Sequence, residues 1–322
     1  MASPNISEIL STTLENRSGD LFDNVSKNNA LLYRLKKRGN VKTFSGGATI
    51  RQGLEYAENA TYKRYSGYET LNIQPSDVFT EAEFTIKQAA VAITISGLEQ
   101  LKNSGKEQLI DLLESRIKNA EKTLINNIAA DVYSDGTADG GKQIGGLQHL
   151  VADTPTNTVG GIDRSTWTFW KNYVYSGVSN GGVAVNASNI QDYILQVVLN
   201  TTRGTDRPDI GIFDNTYYSY LHASMSAIQR LTNPELAEAG FRNITCHGVD
   251  CVFDGGYGGN APSAHAYFLN TGSIHFRPHK DRNFVPFGGD RQSVNQDAVV
   301  KLLGFAGNMT LSCGFLQGVL KA

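Results

Sequence analysis

Cysteine, methionine, tryptophan and proline are all scarce in this chain, and so is net charge. The cysteines, Cys246, Cys251 and Cys313, are an odd and sparse set, which argues against a disulfide framework. No apolar run approaches the ~20 residues that a membrane helix needs. The opening Met1-Ala2-Ser3-Pro4-Asn5 has no charged region followed by an apolar one, so no secretory signal is read there. A formal charge of -2 supplies no global field to attract nucleic acid, which leaves only local patches for that role. The expectation from these absences is a protein of the cytoplasm with no membrane partner.

A catalytic constellation is missing as well. Gly136-Thr137-Ala138-Asp139-Gly140-Gly141-Lys142 fits the start of a phosphate-binding loop, but Gln143 follows where a magnesium-binding hydroxyl is required. Such a loop also needs a strand before it and a helix after it, and here a helical pattern precedes it. Gly177-Val178-Ser179-Asn180-Gly181 has the residue order of a nucleophile elbow. No helical pattern begins before Ser188, however, and nothing in the sequence brings His222, His247 or Asp250 to Ser179. Cys246, His247 and Cys251 lack the second ligand pair that structural zinc requires. Pro278, between His275 and His279, argues against a helix that would put both on one face. Asp77, Glu81 and Glu83 read as a solvated acidic face. No cofactor, no metal and no enzymatic role are expected.

What the sequence does contain is glycine and tyrosine, 33 and 14 residues respectively, in a chain of 322 with room for one large or two ordinary domains. Residues 1–40 are polar and end in the basic run Arg34-Leu35-Lys36-Lys37-Arg38. Two readings of that run stay open: a solvated helix end suited to the helix dipole, or an arm in which Arg34, Lys36, Lys37 and Arg38 touch a partner subunit or nucleic acid. From Val41 to about Gln74 the chain reads as an extended excursion, with strand-like segments at Thr49–Gln52, Tyr62–Tyr68 and Thr70–Ile73. Tyr56, Tyr62, Tyr65 and Tyr68 stand there with Lys63 and Arg64 between them. They could stack on single-stranded bases, but tyrosine and arginine are also the residues that protein interfaces favour, and a segment without its own core needs an interface.

Phe84–Gln88 and Val91–Ile95 alternate with period two, as strands do. Ser104-Gly105-Lys106-Glu107 has capping-box spacing, and Leu109, Leu113, Ile117, Ala120, Leu124, Ile128 and Val132 follow in steps of four and three. This predicts one helix over 105–134, roughly 40 Å long at 1.5 Å per residue, with a stop at Asp135-Gly136. A Gly-rich joint leads to Leu147. Beyond it, Ser188 is expected to cap a helix through Val198, Pro208–Asp214 to form a buried strand, and Asn215 to open a second helix. Gly248–Phe253, Ala266–Leu269 and the stretch from Ala298 to Leu320 read as further strands.

Taken in order, these parts resemble the major capsid proteins of tailed bacteriophages, the Hong Kong-type fold that encapsulin shells share. The resemblance spans essentially the whole chain. It is carried by Glu69-Thr70-Leu71 through Ser96-Gly97-Leu98-Glu99 leading into the long helix, then by Asp135-Gly136 and Ile144-Gly145-Gly146-Leu147. Arg207–Ile212, Tyr267–Thr271 and His279–Phe284 continue it. It implies an α+β chain with an N-terminal arm (1–40) and an extended β-hairpin loop (41–81). A peripheral domain (77–146 and 271–322) would hold the spine helix, and an axial α/β domain (147–270) would complete the chain.

The function implied is a shell built from pentamers and hexamers of the chain in a virion capsid, assembled in the bacterial host cytoplasm around non-specifically held double-stranded DNA. Scaffold, portal and decoration proteins are the further partners implied. Tyr56, Tyr62, Lys63, Arg64, Tyr65 and Tyr68 would make the inter-subunit contact. An encapsulin-like compartment with a protein cargo and a serine hydrolase acting through Ser179 are the alternatives.

Overall fold

The computed structural model describes residues 29–96, 98, 106–225, 234, 237, 243–255, 259–292 and 298–322. Residues 1–28 of the expected arm and the Ser104–Glu107 capping box therefore fall outside what is described, apart from the backbone of Lys106 and Glu107.

The first described element is α1 (Ala30–Lys37). Asn29 starts it by accepting the Leu31 and Leu32 amides at 3.0 and 3.1 Å. Ala30, Leu31, Leu32 and Leu35 are buried in the main core, so this end of the expected arm packs within its own subunit. An ion-pair cluster fixes it. Arg34 Nε lies 3.1 Å from Asp209 Oδ2, its Nη2 lies 3.4 Å from Asp250 Oδ2, and Arg38 Nε lies 3.7 Å from the same Asp209 oxygen. Asp209 also accepts the Thr271 amide and hydroxyl, each at 2.7 Å.

β1 (Thr49–Glu55) and β2 (Phe79–Thr85) pair antiparallel, with Thr49 opposite Thr85 and Glu55 opposite Phe79. β3 (Lys87–Ser96) follows. β1 runs past Gly53, where the sequence suggested a break, and the segments 62–68 and 70–73 form no strand. Those segments have no partner strand to complete their backbone bonding, whereas β1 has β2.

Spine helix α2 (Lys106–Asp131) matches the predicted helix closely. Its last backbone bonds tighten, with Tyr133 N reaching Ala130 O and Ser134 N reaching Asp131 O, so helical bonding runs on to residue 134. Ile117, Ala120, Leu124, Ile128 and Val132 are buried as the stripe required, with Ile125 and Ala129 beside them. The chain then turns at Gly136 in the left-handed region, where φ is +76°. Segment Ala138–Gly141 is a single irregular turn, not a phosphate-binding loop before a helix.

The second half builds a six-stranded sheet, introduced by the small hairpin β4 (Thr158–Val159) and β5 (Ile162–Asp163). Its strands are β6 (Tyr173–Ser176), β7 (Ile210–Phe213), β8 (Asn243–Cys246), β9 (Val249–Phe253), β10 (His265–Leu269) and β13 (Gly318–Lys321), in the order β6-β13-β10-β7-β9-β8. Helices α3 (Ile190–Asn200) and α4 (Asn215–Ser224) cover one face. On that face lie Phe213, Cys251, Ala266, Phe268 and Leu320. The other face, with Ile210, Ile212, Val252, Tyr267, Leu269 and Val319, joins the core that contains α1 and α2. A sheet covered on both faces explains why its strands read as unbroken apolar runs.

One cap differs from expectation by one residue. Asn189, not Ser188, sits at the start of α3, and its side chain accepts the Asn186 amide instead of a helix N–H. Asn215 opens α4 as expected, and Asp214 caps it by accepting the Thr216 and Tyr217 amides. β11 (Ile274–Gln292) and β12 (Ala298–Leu311) form the second large sheet with β3, in the order β11-β12-β3. After it, β13 pairs with β6 and β10, so the chain from residue 271 onward serves both sheets and its end belongs with the six-stranded one.

The junction between the halves is tight. Gly145 N donates to Asn308 Oδ1, whose Nδ2 donates to Thr85 O, and Leu147 N donates to Val132 O at 2.7 Å. A Cβ on Gly146 would lie 2.4–2.5 Å from the backbone of Asp131, Val132 and Ser134, so only glycine fits there.

Lys118 is exposed in mid-helix, so Lys118→Pro should cost ~3 kcal/mol or more through backbone disruption alone, read as a lower urea midpoint. Asp209→Ala strands Arg34 beside Asp250 and removes the acceptor for Thr271, and a loss of about 3 kcal/mol is expected in the same measurement.

Candidate subunit interface

The hairpin β1–β2 has an inner and an outer face. Ile50, Leu54, Ala82 and Phe84 are buried on the inner face, where Arg277 Nη2 also donates to Gln52 Oε1. On the outer face Arg51 pairs with Glu81 at 3.6 Å and Glu83 at 3.3 Å. These are exposed pairs of small energetic value, so Glu81 and Glu83 belong to a solvated face as their sequence suggested. The β4–β5 turn leans on the hairpin, with Glu83 N donating to Gly160 O at 2.9 Å. Gly160 has φ +59°, and a Cβ there would lie 2.8 Å from the Ala82 Cβ and 3.0 Å from the Phe84 ring.

Beyond Glu55 and Phe79 the hairpin opens into a tip held by local contacts. Asn59 Oδ1 accepts from Thr61 N, Thr61 Oγ1 and Ser76 Oγ. Lys63 pairs with Glu69 at 2.9 Å, and the Arg64 guanidinium lies 5.7 Å from the centre of the Tyr62 ring. None of this buries the apolar side chains. Tyr62, Tyr65, Tyr68 and Ile73 are 76, 64, 107 and 91 % exposed. Single exposed aromatics are ordinary, but several on one projection make it the most exposed aromatic segment among the described residues.

Tyr56 differs from the other tip tyrosines. It is half-buried at the root of the projection, where its ring lies 6.2 Å from Trp167 and 5.6 Å from Phe169. Trp167 and Phe169 were not foreseen as interface residues. The signal for them was the aromatic-dense segment Trp167-Thr168-Phe169-Trp170, which holds both tryptophans of the chain. That segment is well braced. Asp163 O accepts the Trp167 amide, and the Asp163 carboxyl is held below its usual range by the Ser165 hydroxyl and amide and by the Thr166 hydroxyl. Beneath it Arg164 is fully buried and donates to Asn157, Asn172 and the Leu150 carbonyl, and burial lowers its pKa to about 10.

Of the basic run, Arg34 is committed to Asp209 and Asp250, and Arg38 lies close to Asp209, while Lys36 and Lys37 are exposed. The run is thus split between an internal clamp and an outward-facing pair.

The chemical near-misses have structural explanations. Ser179 sits in an exposed turn after β6 and is not followed by a helix, since α3 begins only at Ile190. Asp250, imagined as an orienter for a histidine, is engaged by Arg34 and by the Thr245 hydroxyl. Cys246 and Cys251 are buried in the sheet, and burial pushes the Cys246 thiol up to about 11 and that of Cys251 well above the ordinary thiol range. His275 is buried in β11. Among the described residues no group of three His, Cys, Asp or Glu is placed to hold a metal ion, and no helix is long and apolar enough to cross a membrane.

No protein-family model and no curated protein sequence matches the chain. Solved structures do. The capsid asymmetric unit of cyanophage A-1(L) superposes with a TM-score of 0.68 at 14 % identity, over 88 % of this chain and 90 % of that one. The capsid of a native GTA particle gives 0.59 at 12 %, over 88 % of each chain. The SrpI encapsulin of Synechococcus elongatus gives 0.52 at 8 %, over 89 % of this chain and 86 % of that one.

The hairpin tip lacks any core of its own. Deleting Glu55–Ile73 should therefore leave a cooperatively melting subunit that no longer assembles, checked by thermal circular dichroism beside size-exclusion chromatography. Unfolding of the truncated chain would show that the tip belongs to the core.

Spine helix, projecting hairpin and two-faced sheet, matched nearly end to end by those shells, give this chain the α+β fold of phage capsid proteins, which encapsulins share.

Proposed function

We propose that the chain is the major capsid protein of a tailed bacteriophage, assembling through pentamers and hexamers into an icosahedral shell around double-stranded DNA. The observation that carries this reading is the projection between Glu55 and Phe79, on a fold otherwise matched to capsid shells. Its backbone is ordered by local bonds while its tyrosines lie bare. A covering neighbour supplies the burial that the subunit cannot. Contacts of this kind, between different patches on successive copies, close into rings when the rotation allows. The protein acts by packing and not by catalysis. DNA would be held without sequence readout, through phosphate contacts that weaken with salt.

An encapsulin-like compartment is the second reading, favoured by the match to the Synechococcus shell, and it differs in contents and not in wall. Negative-stain electron microscopy of the recombinant full chain, followed by nuclease treatment and extraction of the particles, separates the two. The expected outcome is closed shells or five- and six-membered rings, with nuclease-protected DNA in particles made during infection. Shells that hold protein and no DNA favour the compartment. Uniform particles of one or two subunits overturn the shell reading.

A further inference from the structure

At the root of the hairpin lies an open cavity of about 280 Å³ lined by Tyr56, Asp77, Phe79, Thr80, Ile162, Trp167 and Phe169. Trp167 stands at a steep angle to two other rings, 70° to Tyr56 and 67° to Phe169 with centroids 6.2 and 6.1 Å apart, while Tyr56 and Phe169 are inclined by 32° at 5.6 Å. Trp167 remains 50 % and Phe79 73 % exposed, so the rings form walls without a filling. Asp77 stands at the rim, and no ion-pair partner for it occurs among the described residues. Aromatic faces around a gap with one carboxylate are the chemistry that takes up a cation: the ring quadrupoles attract it within ≈ 6 Å of a centroid and the carboxylate supplies the counter-charge.

The same projection carries a matching cation at its far end. Between Ala60 and Gln74 the charged residues are Lys63, Arg64 and Glu69, whereas Glu55, Glu58 and Asp77 surround the root. Lys63 is already paired with Glu69. Arg64 has no carboxylate partner among the described residues, and its guanidinium stacks on the exposed Tyr62 ring. A planar guanidinium suits a slot between rings better than an ammonium does. Acidic root and basic tip belong to one chain, so each copy offers both halves of a head-to-tail contact.

We propose that the aromatic box of Tyr56, Trp167 and Phe169, with Asp77 at its rim, receives Arg64 from the hairpin tip of a second copy of this chain. The proposal rests on the shell reading above and names the contact within it. Insertion leaves Tyr62 and Tyr65 of the incoming tip against Phe79 and Ile162, which covers apolar area on both sides.

The test is a charge exchange in the full-length chain, read as particle yield by electron microscopy and light scattering. Arg64→Glu and Asp77→Arg should each lower the yield about tenfold, the size of effect expected for a desolvated cation–aromatic contact with its counter-charge. The double variant should recover part of the parent yield, because it restores opposite charges across the contact while giving up the attraction of the ring faces for a cation. Trp167→Ala should behave like Arg64→Glu, and circular dichroism should report a folded subunit in every case. Mixing Arg64→Cys with Asp77→Cys subunits adds an independent arm: oxidation should give a covalent dimer that neither variant forms alone. Parent particles with no effect of Arg64→Glu, no rescue by exchange and no mixed dimer overturn the contact while leaving the shell standing. Absence of particles from the parent chain overturns the shell reading and the contact with it.

Discussion

The backbone contact at Gly146 is the constraint from which the rest of the architecture follows. The chain must leave a 26-residue helix and enter a sheet without a gap, and it does so by laying Gly145 and Gly146 flat against the last helical turn. Any side chain at Gly146 would meet main-chain atoms that cannot move independently of the helix. Because the passage is closed, the core is shared. Apolar residues of α1 and α2 meet those of β7, β9 and β10 in one cluster, and Asn308 ties the joint to β2 by amide hydrogen bonds. The two halves divide the work of folding but not the core.

On that rigid frame the charged residues act as locators. Asp209 gathers Arg34 and Arg38 from α1 and Thr271 from a remote part of the chain, and thereby fixes α1 against the strand ends of the six-stranded sheet. Little net stability comes from partly buried ion pairs; their value lies in register, since a displaced α1 would leave Arg34 half-buried without its carboxylates. Arg164 does similar work with neutral acceptors only, bracing the loops that present Trp167 and Phe169.

Much of this was legible in the sequence where a period or a cap repeats. The spine stripe through Ile117, Ala120, Leu124 and Ile128 and the alternation of β3 are local consequences of helix and strand geometry, and they survive folding unchanged. The unbroken run Ile210–Phe213 signalled a strand covered on both sides. What escaped depended on partners far away in sequence. Nothing in Arg34-Leu35-Lys36-Lys37-Arg38 indicates that Arg34 meets Asp209 while Lys36 and Lys37 face outward. The return of Gly318–Lys321 to the other sheet is a pairing choice that periodicity cannot report. Tyr56 was grouped with Tyr62, Tyr65 and Tyr68 because all four share a segment, yet its environment is set by Trp167 and Phe169, more than a hundred positions on. The Tyr62–Ile73 stretch looked like strand on composition, and without a partner strand that propensity goes unused.

Mechanically, the hairpin is a lever and Gly160 is its stop. The β1–β2 strands lie along the body for about 20 Å, at ~3.3 Å per residue, and the tip extends beyond them. The Gly160 carbonyl holds Glu83 while its missing side chain leaves room for Ala82 and Phe84. A displacement of an ångström at that support is multiplied along the arm before it reaches Tyr68. The bearing of the tip on the body is therefore set in part at one glycine on a minor turn. On the shell reading proposed above, that turn is one place where a small change would alter how the tip meets a neighbouring copy.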